Sequence, residues 1–290
     1  MDIELGDTLI VDAGSTKTDW IVINKNGHIL QRCKTDGINP ATMDDDAIVS
    51  IIRNATTTLP SLKPDGMIFY YGAGCGSTEI CKKTILNIKN FFEIDNIFVE
   101  SDMLGTARGL FGHNRGIACI LGTGSNSCLY DGFKIKKQIP SLGFILGDEG
   151  SGVALGKKLI NNIFKNILPS ELKEKFVETY KLNLQDIIYR TYNCKKPNVF
   201  LAEFSFFVKQ HIHHPAIKKL VVDEFKTFIG KNIIPYQTCD SVPVRFSGSI
   251  ACSFSGQLKE AMESFSLVID EIIPSPIERL ISYHSNSNFK

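Results

Sequence analysis

The sequence has almost no excess of charge of either sign. Its 290 residues include 32 Lys and Arg against 31 Asp and Glu, a formal net charge of +1 at pH 7. This balance removes the broad electrostatic attraction that drives binding to nucleic acid or to an anionic membrane. No apolar run approaches the length of a membrane span, and the acidic start, MDIELGD, lacks the positive flank and apolar centre of a signal peptide. We therefore expect no nucleic-acid partner, no membrane partner and a cytoplasmic location.

Motifs for metal binding and for redox chemistry are also missing. The eight cysteines are scattered and include no Cys-x-x-Cys pair, so we interpret them as reduced side chains that fill space. One alternative stays open, a cluster that bridges two subunits. The segment HIHHP has no neighbouring cysteine or carboxylate group, and we interpret its histidines as solvated groups at a helix end: His211, His213 and His214.

What the chain does contain is enough apolar material for two domains. It is about twice the usual domain length, with 43% hydrophobic and 22% charged residues, which is typical of globular proteins. Strand-like and helical patterns alternate, which predicts an α/β fold with mixed sheets. We place two domains at residues 1–114 and 115–290, with a mainly helical insertion at about 155–240 in the second. The last helix is expected to pack back on the first domain.

Two segments of the chain follow the same order of strand, glycine turn, strand, tight turn and strand. They are LIVDAGSTKTDWIVINKNGHI and IACILGTGSNSCLYDGFKI, and they align Gly14-Ser15 with Gly124-Ser125. The match suggests two related halves. Backbone N–H groups and hydroxyls in such turns can hold a phosphate. Because GxxxxGK[ST] is absent and a strand follows the turn, a β-hairpin would grip the phosphate here, although either turn alone is also consistent with a plain turn.

Several single residues have a structural explanation beside a functional one. A third glycine turn, FSGSIA, permits close approach of a nucleobase or ribose but also fits a simple strand-to-helix junction. Asp102 precedes a helical pattern and fits a helix N-cap as well as a catalytic carboxylate. Asp148 and Glu149 could both stabilise a helix dipole, and we assign function to the first and structure to the second. Asn39 before Pro40 is typical of a turn.

These motifs together resemble the actin- and hexokinase-like superfamily of sugar kinases and ATPases. Within it, the chain is similar to the N-acetylglucosamine kinase and BadF/BadG-type ATPase family. The resemblance covers essentially the whole chain and is carried by DAGSTKTDW, GINPAT, YYGAGCGS, SDMLGTARG, LGTGSNS, LGFILGDEGSG and FSGSIA. It implies an α/β fold of two actin-like (ribonuclease H-like) domains with mixed five-stranded sheets flanked by helices, and a cleft between them.

The resemblance also implies roles for individual residues. Asp12 corresponds to the carboxylate that orients Mg²⁺, and Asp102 corresponds to the base that accepts the proton of a sugar hydroxyl. The sugar would be contacted by Asn39, Gly143 and Asp148. ATP would be bound by the two hairpin turns and by the adenosine motif FSGSIA, through Gly14, Ser15, Thr16, Lys17, Thr123, Gly124, Asn126, Gly248 and Ser249.

The activity implied is that of an ATP-dependent kinase that phosphorylates a hydroxyl of an amino sugar, with N-acetylglucosamine as the first expectation. ATP and Mg²⁺ would be the cofactors and a small-molecule sugar the partner, and the resemblance suggests a homodimer. One departure concerns the sugar site, because Leu142 precedes Gly143 where the family's sugar kinases often carry a Trp–Gly pair. An aromatic wall against the sugar is therefore lost.

Two other functions fit parts of the pattern. A partner-activating ATPase of the BadF type would use a subunit-bridging iron–sulfur cluster, and Cys119 and Cys128 lie near the second hairpin. A non-catalytic sensor of nucleotide or sugar is disfavoured, because such a domain need not retain the three carboxylates of Asp12, Asp102 and Asp148.

Overall fold

The computed structural model describes residues 6–59, 62, 64–237 and 241–285. The chain divides into two units. Unit 1 combines the ranges Met1–Asn114, Asp131–Ile135 and Ser275–Lys290, and unit 2 combines Arg115–Tyr130 and Lys136–Pro274. Within the described part of the chain, no helix has the length and apolarity needed to cross a bilayer.

The sheet of unit 1 is an antiparallel hairpin pair extended by two parallel strands. Strands β1, β2 and β3 form a meander, and β4 and β5 run parallel to β1, in the order β3-β2-β1-β4-β5. The bounds are β1 Thr8–Ala13, β2 Lys17–Ile23, β3 Ile29–Asp36, α1 Asp45–Thr56, β4 Met67–Gly72, α2 Thr78–Lys89, β5 Asn96–Ser101, α3 Asp102–Phe111 and, near the end of the chain, α13 Ile277–Ser285.

Helices cover both faces of this sheet. On one face, α1 begins where the Asp44 carboxylate accepts the N–H of Ala47, and it buries Ile48, Ile52 and Ala55 on a single stripe. On the other face, α13 contributes to a second apolar cluster with strand residues of β1, β2 and β4. The central strand β1 is buried along almost its whole length, as a strand covered on both faces should be.

Unit 2 contains the second sheet and most of the helices. Its sheet order is β10-β9-β6-β7-β8, with β6 and β7 antiparallel and β9 and β10 parallel to β6. The bounds are β6 Gly116–Leu121, β7 Ser125–Tyr130, β8 Ile135–Ile139, α4 Gly143–Leu146, α5 Gly152–Phe164, α6 Ser170–Tyr180, α7 Leu184–Asn193, α8 Pro197–Glu203, α9 Ser205–Gln210, α10 Pro215–Asn232, β9 Val244–Ser247, α11 Ser249–Ser253, α12 Ser255–Glu263 and β10 Ile269–Ile273.

The predicted fold class is confirmed, because both sheets are mixed, five-stranded and flanked by helices. Counted from the hairpin edge, both sheets have the same order of two antiparallel strands, a central strand and two parallel strands. This shared topology agrees with the repeat in the sequence. Trp20, in β2, is fully buried, and its Nε1 donates to Thr35 Oγ1 at 2.9 Å.

The histidines of HIHHP lie at helix ends. His211 follows α9, where its ring stacks on Phe207 at a centroid distance of 4.0 Å. His214 precedes α10 and accepts the N–H of Ala216 at its Nδ1, 3.2 Å away. These contacts give both side chains a local role in ending one helix and starting the next.

Candidate active site

The carboxyl ends of the parallel strands bring two carboxylates together in unit 1. Asp12 is the penultimate residue of β1, and Asp102 directly follows β5 as the first residue of α3. Because β1, β4 and β5 are parallel neighbours, both residues lie at the same edge of the sheet, which is where open α/β sheets bind ligands. The negative charge of Asp102 contributes to raising the pKa of Asp12.

Asp12 is a strongly perturbed carboxyl group. Burial raises its pKa to about 7, and the charges of Asp102 and Asp19 add to the shift. The Ser275 hydroxyl donates to Asp12 Oδ2 at 3.1 Å and opposes it. Ser275 also accepts the N–H of Ile277 at 3.4 Å, so it joins the start of α13 to this carboxylate.

Asp102 is not the residue that caps α3. The N-cap is Ser101, whose Oγ accepts the N–H of Leu104 at 3.3 Å. The Asp102 Oδ1 accepts the adjacent N–H of Met103 at 2.8 Å, and the residue is partly exposed. The capping explanation that the sequence left open therefore belongs to the neighbouring serine.

The first glycine turn is closed by the N–H of Gly14, which donates to Lys17 O at 2.9 Å. Ser15 and Thr16 form its tip. Gly37 packs directly on it: a Cβ at that glycine would lie 2.5 Å from Gly14 O, and its N–H donates to Thr16 O. Lys17 extends to solvent and pairs with Asp19 at 3.0 Å.

Asn39 lies two residues beyond this packing point. Its Oδ1 accepts the N–H of Ala41 at 3.1 Å, as a turn residue does. The same oxygen would be 2.2 Å from a Cβ on Gly74, which has φ +81°. The GINPAT segment therefore packs on both the first hairpin turn and the loop after β4.

In unit 2, Asp148 lies against the second glycine turn. Its Oδ1 accepts the N–H of Ser125 at 3.2 Å, and a Cβ on Gly124 would lie 2.9 Å from its Oδ2. Burial raises the pKa of Asp148 to about 6, against the lowering effects of the Ser125 N–H and the Lys157 charge. The N-cap of α5 is Ser151, three residues after Asp148.

Other residues of the second turn hold it to its surroundings. Thr123 O accepts the N–H of Val153 at 3.2 Å, which ties the turn to the start of α5. Asn126 Oδ1 accepts from Gln138 Nε2 at 3.0 Å and from the N–H of Ser127 at 2.9 Å. The turn is thus held by hydrogen bonds on both sides.

The third glycine turn, FSGSIA, lies beside the second one. Gly248 follows β9 with φ +121°, and a Cβ there would lie 2.3 Å from Leu121 O at the end of β6. Ser249 begins α11 and is exposed. Gly143 is exposed in the short helix α4, with φ +70° and open space around it. Unit 2 therefore brings the second turn, Asp148 and Gly248 together, whereas Gly143 is the exposed first residue of α4.

The donor chemistry around Asp12 suits magnesium. Mg²⁺ usually keeps several waters and binds one or two carboxylates together with substrate phosphates. Asp12 and Asp102 are two carboxylates, and the charge of Asp102 is near enough to raise the pKa of Asp12. Together they form a set of oxygen ligands of that size. Among the described residues, no group of three or more His, Cys, Asp or Glu could hold a metal by itself. A magnesium ion at Asp12 would take its other ligands from waters and from the phosphates of a nucleotide.

Known proteins share this architecture along the whole chain. A crystal structure of a candidate N-acetylglucosamine kinase from Porphyromonas gingivalis is 39% identical in sequence, with a TM-score of 0.86, and the match covers 97% of this chain and 99% of that one. The chain belongs to the N-acetylglucosamine kinase family. The predicted family and the predicted enzyme class, a kinase-type phosphotransferase, are thereby confirmed. No protein-family model and no curated protein matches the chain.

More distant structures agree on the fold. A second candidate N-acetylglucosamine kinase, from Chromobacterium violaceum, has 16% identity and a TM-score of 0.78 over 97% of this chain and 99% of that one. A ROK-family glucokinase from Streptomyces griseus, in complex with glucose and AMPPNP, has 13% identity and a TM-score of 0.54 over 96% of this chain and 98% of that one. At these identities the match concerns the fold alone.

Sequence reasoning missed the residues that support the family's motifs from a distance. Ser275 donates to Asp12 across 263 positions of the chain. Lys157 donates to Phe144 O and is close enough to lower the pKa of Asp148. Glu149, predicted to be structural, pairs with Lys231 at 2.8 Å. The repeat pattern carries no signal for Ser275 or Lys231, because their partners are set by the tertiary fold.

Proposed function

We propose that this chain is an ATP-dependent kinase that phosphorylates a hydroxyl of an amino sugar, with N-acetylglucosamine as its first candidate substrate. One observation carries the proposal. Asp102 lies at the same strand edge as Asp12, and the neighbouring Ser101 supplies the helix cap. The partly exposed Asp102 therefore places a carboxylate, suited to act as a base, at the edge of the sheet where ligands bind.

In this proposal the residues divide the work of phosphoryl transfer. That reaction needs positioning, neutralisation of charge and a base near the nucleophile. Asp102 accepts the proton of the attacking sugar hydroxyl, and the backbone N–H groups of the two glycine turns bind the phosphates. Asp12 orients Mg²⁺, which when bound neutralises charge on the phosphates. Gly248 and Ser249 bind the adenosine part of ATP.

Sugar recognition is assigned to Asn39, Gly143 and Asp148. Asp148 is held at the second glycine turn by Ser125, so the same loop borders the phosphate site. The names of the similar proteins from P. gingivalis and C. violaceum favour N-acetylglucosamine. Leu142, in place of a family tryptophan, is exposed and has φ +61°, so the wall of this sugar site differs from the family pattern.

A coupled assay of ADP release tests the proposal. The sugars to compare are glucosamine, N-acetylglucosamine, N-acetylmannosamine, N-acetylmuramic acid and glucose, each with MgATP. We expect ADP release that depends on sugar, and fastest on N-acetylglucosamine. ADP release that no sugar stimulates would contradict the proposal.

Asp102→Asn is the matched catalytic variant. Removal of a general base typically lowers the rate by about 10²–10⁴-fold. We expect kcat to fall by that amount while ATP affinity, measured by calorimetry, and the unfolding temperature stay at wild-type values. Wild-type turnover in the Asn variant would remove Asp102 from the mechanism.

The alternative of a partner-activating ATPase gains no support from the two cysteines that suggested it. Cys119 and Cys128 are both completely buried in the second sheet, and burial raises the pKa of both thiols. Neither sulfur reaches a surface where two subunits could share a cluster. Cys239 lies outside the described residues.

A further inference from the structure

The loop that carries Asp148 is held from one side by a single face of α10. Glu224 Oε1 accepts the N–H of Gly150 at 3.1 Å, and Lys231 Nζ pairs with Glu149 Oε1 at 2.8 Å. Phe228, between them, packs on the same glycine. The spacing of these three α10 residues is i, i+4 and i+7, which places them on one stripe of the helix.

Gly150 has little freedom to move away from this helix. Its φ is +73°, and a Cβ at this position would lie 2.9 Å from Phe228 Cβ. A glycine is therefore required both by the backbone conformation and by the close packing. The N–H that points to Glu224 belongs to a backbone segment directly after Asp148 and Glu149.

Glutamate is uncommon at a position as buried as that of Glu224. Its side chain is only 9% exposed, and Lys158 on α5 supplies the counter-charge at 2.8 Å. Burial of a carboxylate is unfavourable unless its oxygens are paired. Both oxygens are paired here, one with the loop and one with the lysine.

We propose that Glu224 is a positioning residue for sugar binding, which fixes the backbone at Gly150 and thereby sets the place of the Asp148 carboxylate. The proposal rests on the proposed function, and it gives the helical insertion a part in substrate recognition. Glu224 acts through the loop and does not contact the reacting groups. The ATP-binding turns should therefore be affected much less than the sugar site.

Kinetics of Glu224→Ala, Glu224→Gln and Lys158→Gln test this role. For Glu224→Ala we expect the KM for N-acetylglucosamine to rise by about ten- to hundredfold, the effect of losing one hydrogen bond to a charged group, while the KM for ATP changes less than about threefold. Glu224→Gln keeps an acceptor for the Gly150 N–H and should restore most of the sugar affinity. Lys158→Gln removes the counter-charge of the buried Glu224 carboxylate, so we expect its sugar KM to lie between those of the wild type and Glu224→Ala.

Asp223→Ala is the matched control on the same helix. Asp223 directly precedes Glu224, and its exposed carboxylate pairs with Lys219 on the same helix at 2.8 Å. An equal sugar KM in Glu224→Ala and Asp223→Ala, or equal rises in the KM for sugar and for ATP, would overturn the positioning role.

Hydrogen exchange of the Gly150 amide separates this inference from the proposed function. In Glu224→Ala the exchange of residues 147–152 should be at least about tenfold faster than in the wild type and in Asp223→Ala, because the N–H loses its acceptor. Unchanged exchange would overturn the inference even if the wild type is a sugar kinase. If the wild type shows no sugar-dependent turnover, the proposed function and the recognition role both fail.

Discussion

Asp148 stands out among the carboxyl groups of unit 2 because it is buried and lies against the second glycine turn. Burial raises its pKa to about 6 from an ordinary value of 3.8. At neutral pH the folded protein therefore holds a buried, ionised carboxylate, which is less favourable than the same group in water. Perturbed carboxyl groups of this kind cluster at functional sites.

The effect of Asp148 on stability should depend on pH. Its pKa is higher in the folded state, so its contribution to stability is fully present below about pH 4 and is lost as pH rises through about 6. Asp148→Asn removes this dependence and keeps an acceptor for Ser125. We expect the variant to gain up to about 3 kcal/mol over the wild type above pH 6 and little below pH 4.

Urea unfolding of both proteins from pH 4 to pH 7, followed by far-ultraviolet circular dichroism, measures this difference. Asp12 titrates in an overlapping range in both proteins and cancels in the comparison. A constant difference across the whole range would show that Asp148 ionises normally.

Asp12, Asp102 and Asp148 could be selected from the sequence as candidates because each lies next to a glycine motif or a strand end. Asp12 ends a buried strand, Asp102 starts a helix after another, and Asp148 stands in GDEG. Ser275 and Glu224 could not be found in this way. Each acts on a partner more than 70 positions away, and neither the periodicity of a helix nor a local turn pattern encodes such a contact.

The hairpins could be predicted because their tight turns have a strong local signal. Asn26-Gly27 and Asp131-Gly132 join adjacent strands, and the glycines have φ values of +76° and +102°. The junction at Gly248 had no such clear signal, since a serine- and glycine-containing turn before a helix is common. Its need for glycine comes from the end of β6, a strand far away in sequence.

Gly248→Ala should destabilise unit 2. The glycine has φ +121° and ψ 161°, a region that other residues scarcely adopt, and an added methyl group would approach Leu121 O at 2.3 Å. We expect a loss of about 2–4 kcal/mol in the free energy of unfolding and weaker ATP binding. Thermal and urea unfolding measure the first effect, and calorimetry with ATP measures the second.

Gly256→Ala is the control for that substitution. This glycine lies in the first turn of α12, and an added Cβ would have no neighbour within 4 Å. Alanine should leave stability unchanged or raise it by up to about 1 kcal/mol. Equal losses in the two variants would contradict the steric explanation at Gly248.

Unit 1 is assembled from separate stretches of the chain, and the stretch from Ser275 onward is part of it. Leu280 of α13 is completely buried in a cluster with Ile10, Phe69 and Tyr71. The same helix contacts the sheet through a hydrogen bond between His284 Nε2 and the Tyr71 hydroxyl at 2.9 Å.

The homodimer and the cytoplasmic location that we expect from the sequence stay predictions.

Leu280→Ala should weaken unit 1 strongly, by about 2–5 kcal/mol, because it leaves a cavity between α13 and the sheet. Trp20 is the single tryptophan and lies in unit 1, so its fluorescence during urea unfolding reports on this unit. Glu278→Gln, which only breaks an exposed ion pair with Arg32, should cost less than about 1 kcal/mol. If Leu280→Ala lowered the free energy of unfolding as little as Glu278→Gln does, α13 would contribute little to the stability of unit 1.

The late return of α13 has a consequence for biosynthesis. The first 114 residues leave the ribosome long before the helix that covers one face of their sheet, and about 160 residues are made in between. At about 5–20 residues per second, that interval is on the order of ten to thirty seconds. During this interval, the apolar side chains of Ile10, Phe69 and Tyr71 lack their contacts with α13. We therefore expect the nascent chain to bind chaperones that recognise exposed hydrophobic surface.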